Sequence, residues 1–151
     1  MKRREELDEI DQKILGELLK DSRKSFREIA RRVGVSVGTV LARVKNLEKE
    51  GIIKGYTVLL NHEKLGYELT AVIELTVSKG KLLEVDKEVA KKPNVCAVYD
   101  TTGLTDAMVI AKFKTREELS KFTKSLLSLQ HVERTNTHFV LTTIKEDFRL
   151  L

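Results

Sequence analysis

Ser36, Gly38, Thr39, Ala42, Arg43, Lys45 and Asn46 fall in one stretch, Ser36-Val-Gly-Thr-Val-Leu-Ala-Arg-Val-Lys-Asn-Leu-Glu-Lys-Glu-Gly51. Their chemistry is recognition rather than catalysis. The Ser36 hydroxyl can accept an orphan amide of a first helical turn, and Gly51 can take the left-handed conformation that closes a helix. Val40, Val44 and Leu47 recur at helical spacing with Leu41 beside them, so that face is expected to be buried. Gly38, Ala42, Lys45, Asn46 and Lys49 then point away, with Thr39 and Arg43 at the margin. The outward face is small or polar at its start and basic further on. Such a helix can bring its first turns to base edges while its flanks meet phosphates. An ordinary amphipathic surface helix carries the same cations, so the upstream residues decide between the two.

Asp8 to Lys20 reads as a first helix, capped by Asp8, with Ile10, Ile14, Leu15, Leu18 and Leu19 as its stripe. Ser25-x-x-Glu28 is a capping box that opens a second helix, with Ile29, Ala30 and Val33 inside. Gly34 ends it two residues before Ser36 opens the next. Two short helices, a glycine turn and a third helix with a polar outer face form a helix-turn-helix. Ser25 and Arg27 of the second helix join the third helix's outward residues as candidate DNA contacts.

The charge distribution agrees. The chain has 151 residues and a formal charge of +5. Residues 20–49 hold nine Lys or Arg against three acids, a net of +6. Residues 65–151 hold 13 bases and 12 acids. Positive charge gathered on one short segment is the footprint of a nucleic-acid partner.

The second half alternates strand and helix patterns. Ile52 to Leu60, with Tyr56, reads as a connecting strand, and Asn61 to Gly66 as a hinge. Leu69, Ala71, Ile73, Leu75 and Val77 alternate as in a strand. Lys81 to Lys91 is helical, and the sole proline, Pro93, breaks it. Val95–Thr101 and Asp106–Phe113 read as strands about the turn Gly103-Leu104-Thr105. Thr115 caps another helix, and Glu133 to Ile144 reads as a final strand. The order β-α-β-β-α-β is the ferredoxin-like split pattern. The fold class is α+β. The expected division is a helix-turn-helix domain over 1–51, a linker strand and hinge over 52–66, and a ferredoxin-like domain over 67–151. One sheet face is left without helices, and such faces tend to be covered by self-association.

Several classes of chemistry lack their motifs. There is no GxxxxGK[ST] loop, no GxGxxG and no Cys/His cluster. His62, His131 and His138 are scattered, so no metal ligands or catalytic residues are assigned. Cys96 is the only cysteine and reads as a buried structural thiol. The N-terminus, Met1-Lys-Arg-Arg-Glu-Glu, has no apolar core of a secretory signal, and no apolar run nears membrane-spanning length. A cytoplasmic location without membrane association is expected.

The chain resembles the Lrp/AsnC, or feast/famine, transcriptional regulators over nearly its whole length. The resemblance rests on Leu7-Asp8-x-x-Asp11-x-x-Ile14-Leu15-x-x-Leu18 and Ile29-Ala30-x-x-Val33-Gly34-Val35-Ser36. It continues through Val40-x-x-Arg43-Val44-x-x-Leu47-Glu48-x-x-Gly51-Ile52-Ile53-x-x-Tyr56 and Gly103-x-x-Asp106. It implies a helix-turn-helix that binds double-stranded operator DNA. It also implies a C-terminal domain that dimerises through its sheets and binds a free amino acid between dimers, with dimers assembling to octamers. Many members carry proline or a polar residue where this chain has Val37-Gly38.

An amino-acid effector would find its site at the turn. Gly103, Leu104, Thr105 and Asp106 can present successive backbone amides to an α-carboxylate. Tyr99, Asp100, Thr101 and Thr102 lead into that turn, and Glu133, Thr135 and Thr137 share one strand face by period two. Asp100, Asp106 and Glu133 place acids nearby, so a ligand with a second positive charge, lysine or arginine, is expected. No other cofactor is implied. Two other functions share features of the chain. Haem-pathway decarboxylases of this architecture act on sirohaem but need no basic recognition helix. A chromatin-like architectural protein would wrap DNA without effector control.

Overall fold

In the computed structural model, which describes residues 7–151, Asp8 starts the first helix by accepting the Asp11 amide at 2.8 Å. The Met1–Glu6 segment read above lies outside the described residues. Helix α1 spans Glu9–Lys20, α2 Phe26–Val33 and α3 Val37–Lys49. Ser25 accepts the Glu28 amide at 3.2 Å. The Glu28 carboxylate takes Arg32 at 3.2 Å, so only half of the expected capping box forms. Gly34 (φ 81°) sits in the left-handed region that closes α2. Gly51 closes α3: its amide reaches Glu48 O at 3.0 Å and the Ile52 amide reaches Leu47 O at 2.9 Å, a Schellman ending. Ile14, Leu18, Ile29, Ala30, Val40 and Val44 make the core of the three helices. Leu41, expected on that buried face, is 40% exposed, because Val40, Val44 and Leu47 alone fill the narrow side of α3 that meets its neighbours.

Glu17 ties α1 to the following segment. Its carboxylate, in a side chain only 12% exposed, meets Lys20 Nζ at 2.7 Å and Lys24 Nζ at 2.8 Å. The hydrogen bonds from Lys20, then Lys24, hold its carboxyl down from an ordinary 4.5 to about 2. A lowered folded-state value contributes stability above the unfolded value and loses it as pH falls through the folded one. Glu17→Gln should therefore melt below the wild type at pH 7. That difference should close as pH drops from 4.5 towards 2; thermal melts showing a constant difference would refute the assignment.

The expected strand over Ile52–Leu60 does not form. Residues 54–61 make no ladder, and Val58 and Leu59 are largely exposed. β-Branched residues make a segment compatible with a sheet, but a strand also needs a partner, and no described segment of the chain supplies one. The Tyr56 hydroxyl instead donates to Glu48 at 2.8 Å. A short 3-10 turn, Glu63–Leu65, follows.

The second unit is built from β1 Leu69–Val77, α4 Leu82–Ala90, β2 Val95–Asp100, β3 Ala107–Phe113, α5 Arg116–Leu127 and β4 Val132–Phe139. The sheet order is β2-β3-β1-β4 with every pair antiparallel, which is the ferredoxin-like arrangement. Thr115 caps α5 by accepting the Glu118 amide at 3.1 Å. Along β1, Ala71, Ile73, Leu75 and Val77 are buried and alternate with more open neighbours, so the helices lie on that face. These residues pack with Val85, Val89, Val109, Phe113, Leu119, Phe122 and Leu126. Phe113 and Phe122 meet edge to face at 5.1 Å.

β4 ends at Phe139 rather than Ile144, because β1 begins near its partner: Ala71 faces Phe139, and Val140 makes one last bond to Thr70 O at 3.0 Å. Cys96 is exposed rather than buried, because the β2–β3 register shifts between Val95 and Ala97 and turns it out of the alternation. The chain divides into two compact units, one running to Leu59 and including Glu146–Leu151, the other Leu60–Lys145.

Candidate nucleic-acid interface and cleft

Helix α3 buries Val40, Val44 and Leu47, which turns Gly38, Ala42, Lys45, Asn46 and Lys49 to solvent. Ser36 and Thr39 are engaged with each other: Ser36 Oγ accepts the Thr39 amide at 3.0 Å and lies 2.9 Å from Thr39 Oγ1. Ser25 is exposed while capping α2, and Arg27 is exposed. Arg27, Arg31, Lys45 and Lys49 have no carboxylate partner among the described residues. The basic segment therefore keeps four exposed cations uncommitted, two on α2 and two on the outward face of α3.

Arg43 behaves differently. Its Nη1 lies 2.6 Å from Asp8 Oδ2 and 3.2 Å from Asp11 Oδ2. The Asp8 hydrogen bond, then the charges of both acids, raise the guanidinium further above its ordinary value. The same Asp8 caps α1, and the Asp11 amide that it accepts keeps its own carboxyl low. Arg43 thus fastens α3 to the first turn of α1 and is not held ready at the outward face. At the margin of the outward face, Arg43 has a phosphate, a guanine edge or an acid of the first helix as possible partners, and here the partners are the acids Asp8 and Asp11.

The turn between β2 and β3 is held at its base. The Thr101 amide donates to Asp106 O at 3.0 Å, and Thr101 Oγ1 to Thr105 O at 3.3 Å. The Asp106 amide donates to Leu75 O at 2.9 Å, and Asp106 Oδ2 accepts the Val77 amide at 2.8 Å, where the β1–β4 register shifts. Asp106 is thus a fastening for the turn. Among the described residues, the amides of Thr102, Gly103, Leu104 and Thr105 donate to no protein acceptor. Gly103 (φ 130°) holds a conformation that side chains rarely adopt, and Leu104 is fully exposed at the tip.

Beside this turn lies an open cleft of about 450 Å³, mouth included, lined by Glu74, Thr76, Leu104, Thr105, Arg134 and Asn136. Asn136 Nδ2 donates to Glu74 Oε2 at 2.9 Å, and this bond, then His138, hold Glu74 below the usual carboxylate range. Thr135 and Thr137 are not part of the cleft. They stand opposite Leu75 and Ile73, on the helix-covered face, and Thr137 Oγ1 is buried without a partner. Thr135 and Thr137 share a face by period two, but the face towards the cleft is that of Arg134 and Asn136, the residues between. Glu133 accepts Ser78 Oγ at 2.9 Å, and none of Asp100, Asp106 and Glu133 lines this cleft. Tyr99 and Asp100 are exposed at the end of β2. Burial, then the charge of Asp100, raise the carboxyl of Asp86 on α4, so a second acid lies near Asp100. Asp86 Oδ1 is buried without a hydrogen-bond partner.

The chain matches two family models, a winged helix-turn-helix DNA-binding model over residues 7–54 and an Lrp/AsnC ligand binding domain over residues 70–150. It is 51% identical over 144 residues to an HTH-type transcriptional regulator of Pyrococcus abyssi, covering 95% of this chain and 98% of that one. It is 40% identical over 144 residues to the HTH-type transcriptional regulator FL11 of Pyrococcus furiosus, covering 95% of each chain. Among solved structures it is similar to a transcriptional regulator from Neisseria meningitidis in complex with L-methionine. That likeness has a TM-score of 0.87 and 34% identity, and covers 96% of both chains.

Proposed function

From the premise that the chain belongs to the Lrp/AsnC family of transcriptional regulators, we propose that it reads operator DNA as a symmetric dimer and responds to a free amino acid. The observation that carries the DNA reading is the outward face of α3 with Lys45 and Lys49, joined by the exposed Arg27 and Arg31 of α2, all four without acid partners among the described residues. Ser25, Arg27 and Lys45 serve the phosphates, and Gly38, Thr39, Ala42 and Asn46 approach base edges. A two-fold pair reads half-sites about 34–36 Å apart, or a multiple. Pairing uses the sheet face opposite the buried Ala71, Ile73, Val109 and Ala111, where Thr70, Val72, Met108 and Ile110 are only half-buried. Dimers assemble further to octamers in the cytoplasm. Among the described residues no helix is long and apolar enough to cross a membrane.

The effector's α-carboxylate binds the free amides of Thr102 to Thr105, with Arg134 beside them, and its α-ammonium meets Glu74. Lysine or arginine remains the favoured class. Asp86 and Asp100 repel each other and have no cationic partner among the described residues, so a side-chain cation would relieve that pair. Because the ligand touches two dimers, occupancy shifts the assembly by no more than its differential affinity for the two states.

Sedimentation of the full chain with each of the twenty amino acids tests this reading. Lysine or arginine should change the profile of the wild type. Gly103→Val, which cannot keep φ near 130°, should abolish the change while dimeric DNA binding persists. A wild type indifferent to every amino acid would sink the effector reading.

A further inference from the structure

Base reading by a helix is limited by the groups that are free to read. The usual partner of guanine in the major groove is an arginine, paired to O6 and N7. Here Arg43, the only arginine of α3, is bound by Asp8 and Asp11. Releasing it would strand Asp11, whose side chain is 13% exposed, next to the emptied site. The hydroxyls of Ser36 and Thr39 bond each other, and the Glu48 carboxylate holds Tyr56. What remains uncommitted in the first turns is apolar: Val37 at 44% exposure, Leu41 at 40%, the methyl of Ala42 and the methyl of Thr39. Gly38 carries no side chain, and a Cβ there would meet only Ser36 Oγ at 3.8 Å, so the backbone of the first turn can come close to the groove floor. On α3 itself the one free group able to read a base edge bidentately is the Asn46 amide, and its match is adenine. Lys45 and Lys49 are flexible point charges suited to phosphates.

We propose that α3 reads its half-site by methyl contact: thymine methyls pack against Val37, Thr39, Leu41 and Ala42, Asn46 takes an adenine, and the core under α3 is A·T with no guanine read by Arg43, while Arg27 and Arg31 of α2 stay on phosphates. Alanine and threonine methyls are the ordinary partners of the thymine C5 methyl. This rests on the reading of α3 as the DNA-contacting helix and adds what that helix selects. Arg43 is then a positioning residue, which sets the angle of α3 against α1.

The experiment is selection of a random-duplex pool by the full-length protein, followed by replacement of single thymines with deoxyuridine in the enriched site. The second step alters only the DNA, so the fold of the protein is not at stake. The expected result is a half-site core of A·T pairs in which each contacted dT→dU change weakens binding about fourfold, the value of one buried methyl. Arg43→Gln should select the same core sequence. A core with fixed G·C pairs, or an A·T core indifferent to deoxyuridine, would overturn the proposal. So would a changed core for Arg43→Gln, because Arg43 would then be reading bases. A pool that enriches no sequence at all removes the operator reading itself, and this inference with it.

Discussion

Operator affinity should fall about 10⁴-fold between 50 and 200 mM salt, with a log–log slope near −7. The magnitude follows from the cations that the fold leaves free. Lys20 and Lys24 are spent on Glu17, Arg32 on Glu28 and Glu17, Arg23 on Asp21, and Arg43 on Asp8 and Asp11. Arg27, Arg31, Lys45 and Lys49 are not spent on any described residue. Four per protomer make about eight in a dimer, and each phosphate neutralised releases about 0.9 of a counterion from B-DNA. Counting every Lys and Arg of residues 20–49 would predict a slope more than twice as steep. Filter binding or anisotropy titrations across that salt range distinguish the two. A slope near −16 would mean that the internal pairs open on DNA, and a slope near −2 would mean that the basic segment does not track phosphates.

The difference between those counts shows where sequence reading runs out. The positions of the helices were legible because their determinants are local. Asp8, Ser25, Ser36 and Thr115 each cap the turn that follows them, and the apolar spacing of Val40, Val44 and Leu47 selects one face. The βαββαβ order was legible for the same reason. The state of each charge was not, because the partner is remote in sequence: Arg43 meets Asp8 across 35 positions. The cleft failed in a more instructive way. Thr135 and Thr137 do share a face, but which of two faces a strand presents depends on its cross-strand neighbours. Only the pairing with Leu75 and Ile73 reveals that they look towards the helices. The segment from Ile52 to Leu60 marks the opposite limit. Its residues favour a sheet, and the described chain offers them no ladder.

Phe113→Ala should remove about 3–5 kcal/mol from the second unit, the usual cost of deleting a buried aromatic ring. Phe113 is fully buried at the end of β3, stacked edge to face on Phe122 of α5, so the sheet and helix layers both lose their contact. A domain of this size is stable by only about 5–15 kcal/mol, so much of its margin is lost. The helix-turn-helix has a separate core of Ile14, Leu18, Ile29, Ala30, Val40 and Val44, none of which belongs to the Phe113 cluster. Calorimetry should therefore show one transition moved down by many degrees and the other nearly unchanged. Phe113→Leu, which keeps most of the volume, should lose far less. The functional consequence separates pairing from reading. If the sheet face brings two recognition helices together, melting the second unit leaves one helix with four free cations, and the salt slope should fall to about half, near −4. A slope that stays near −7 above that melting temperature would show that the helix-turn-helix units pair without the sheet.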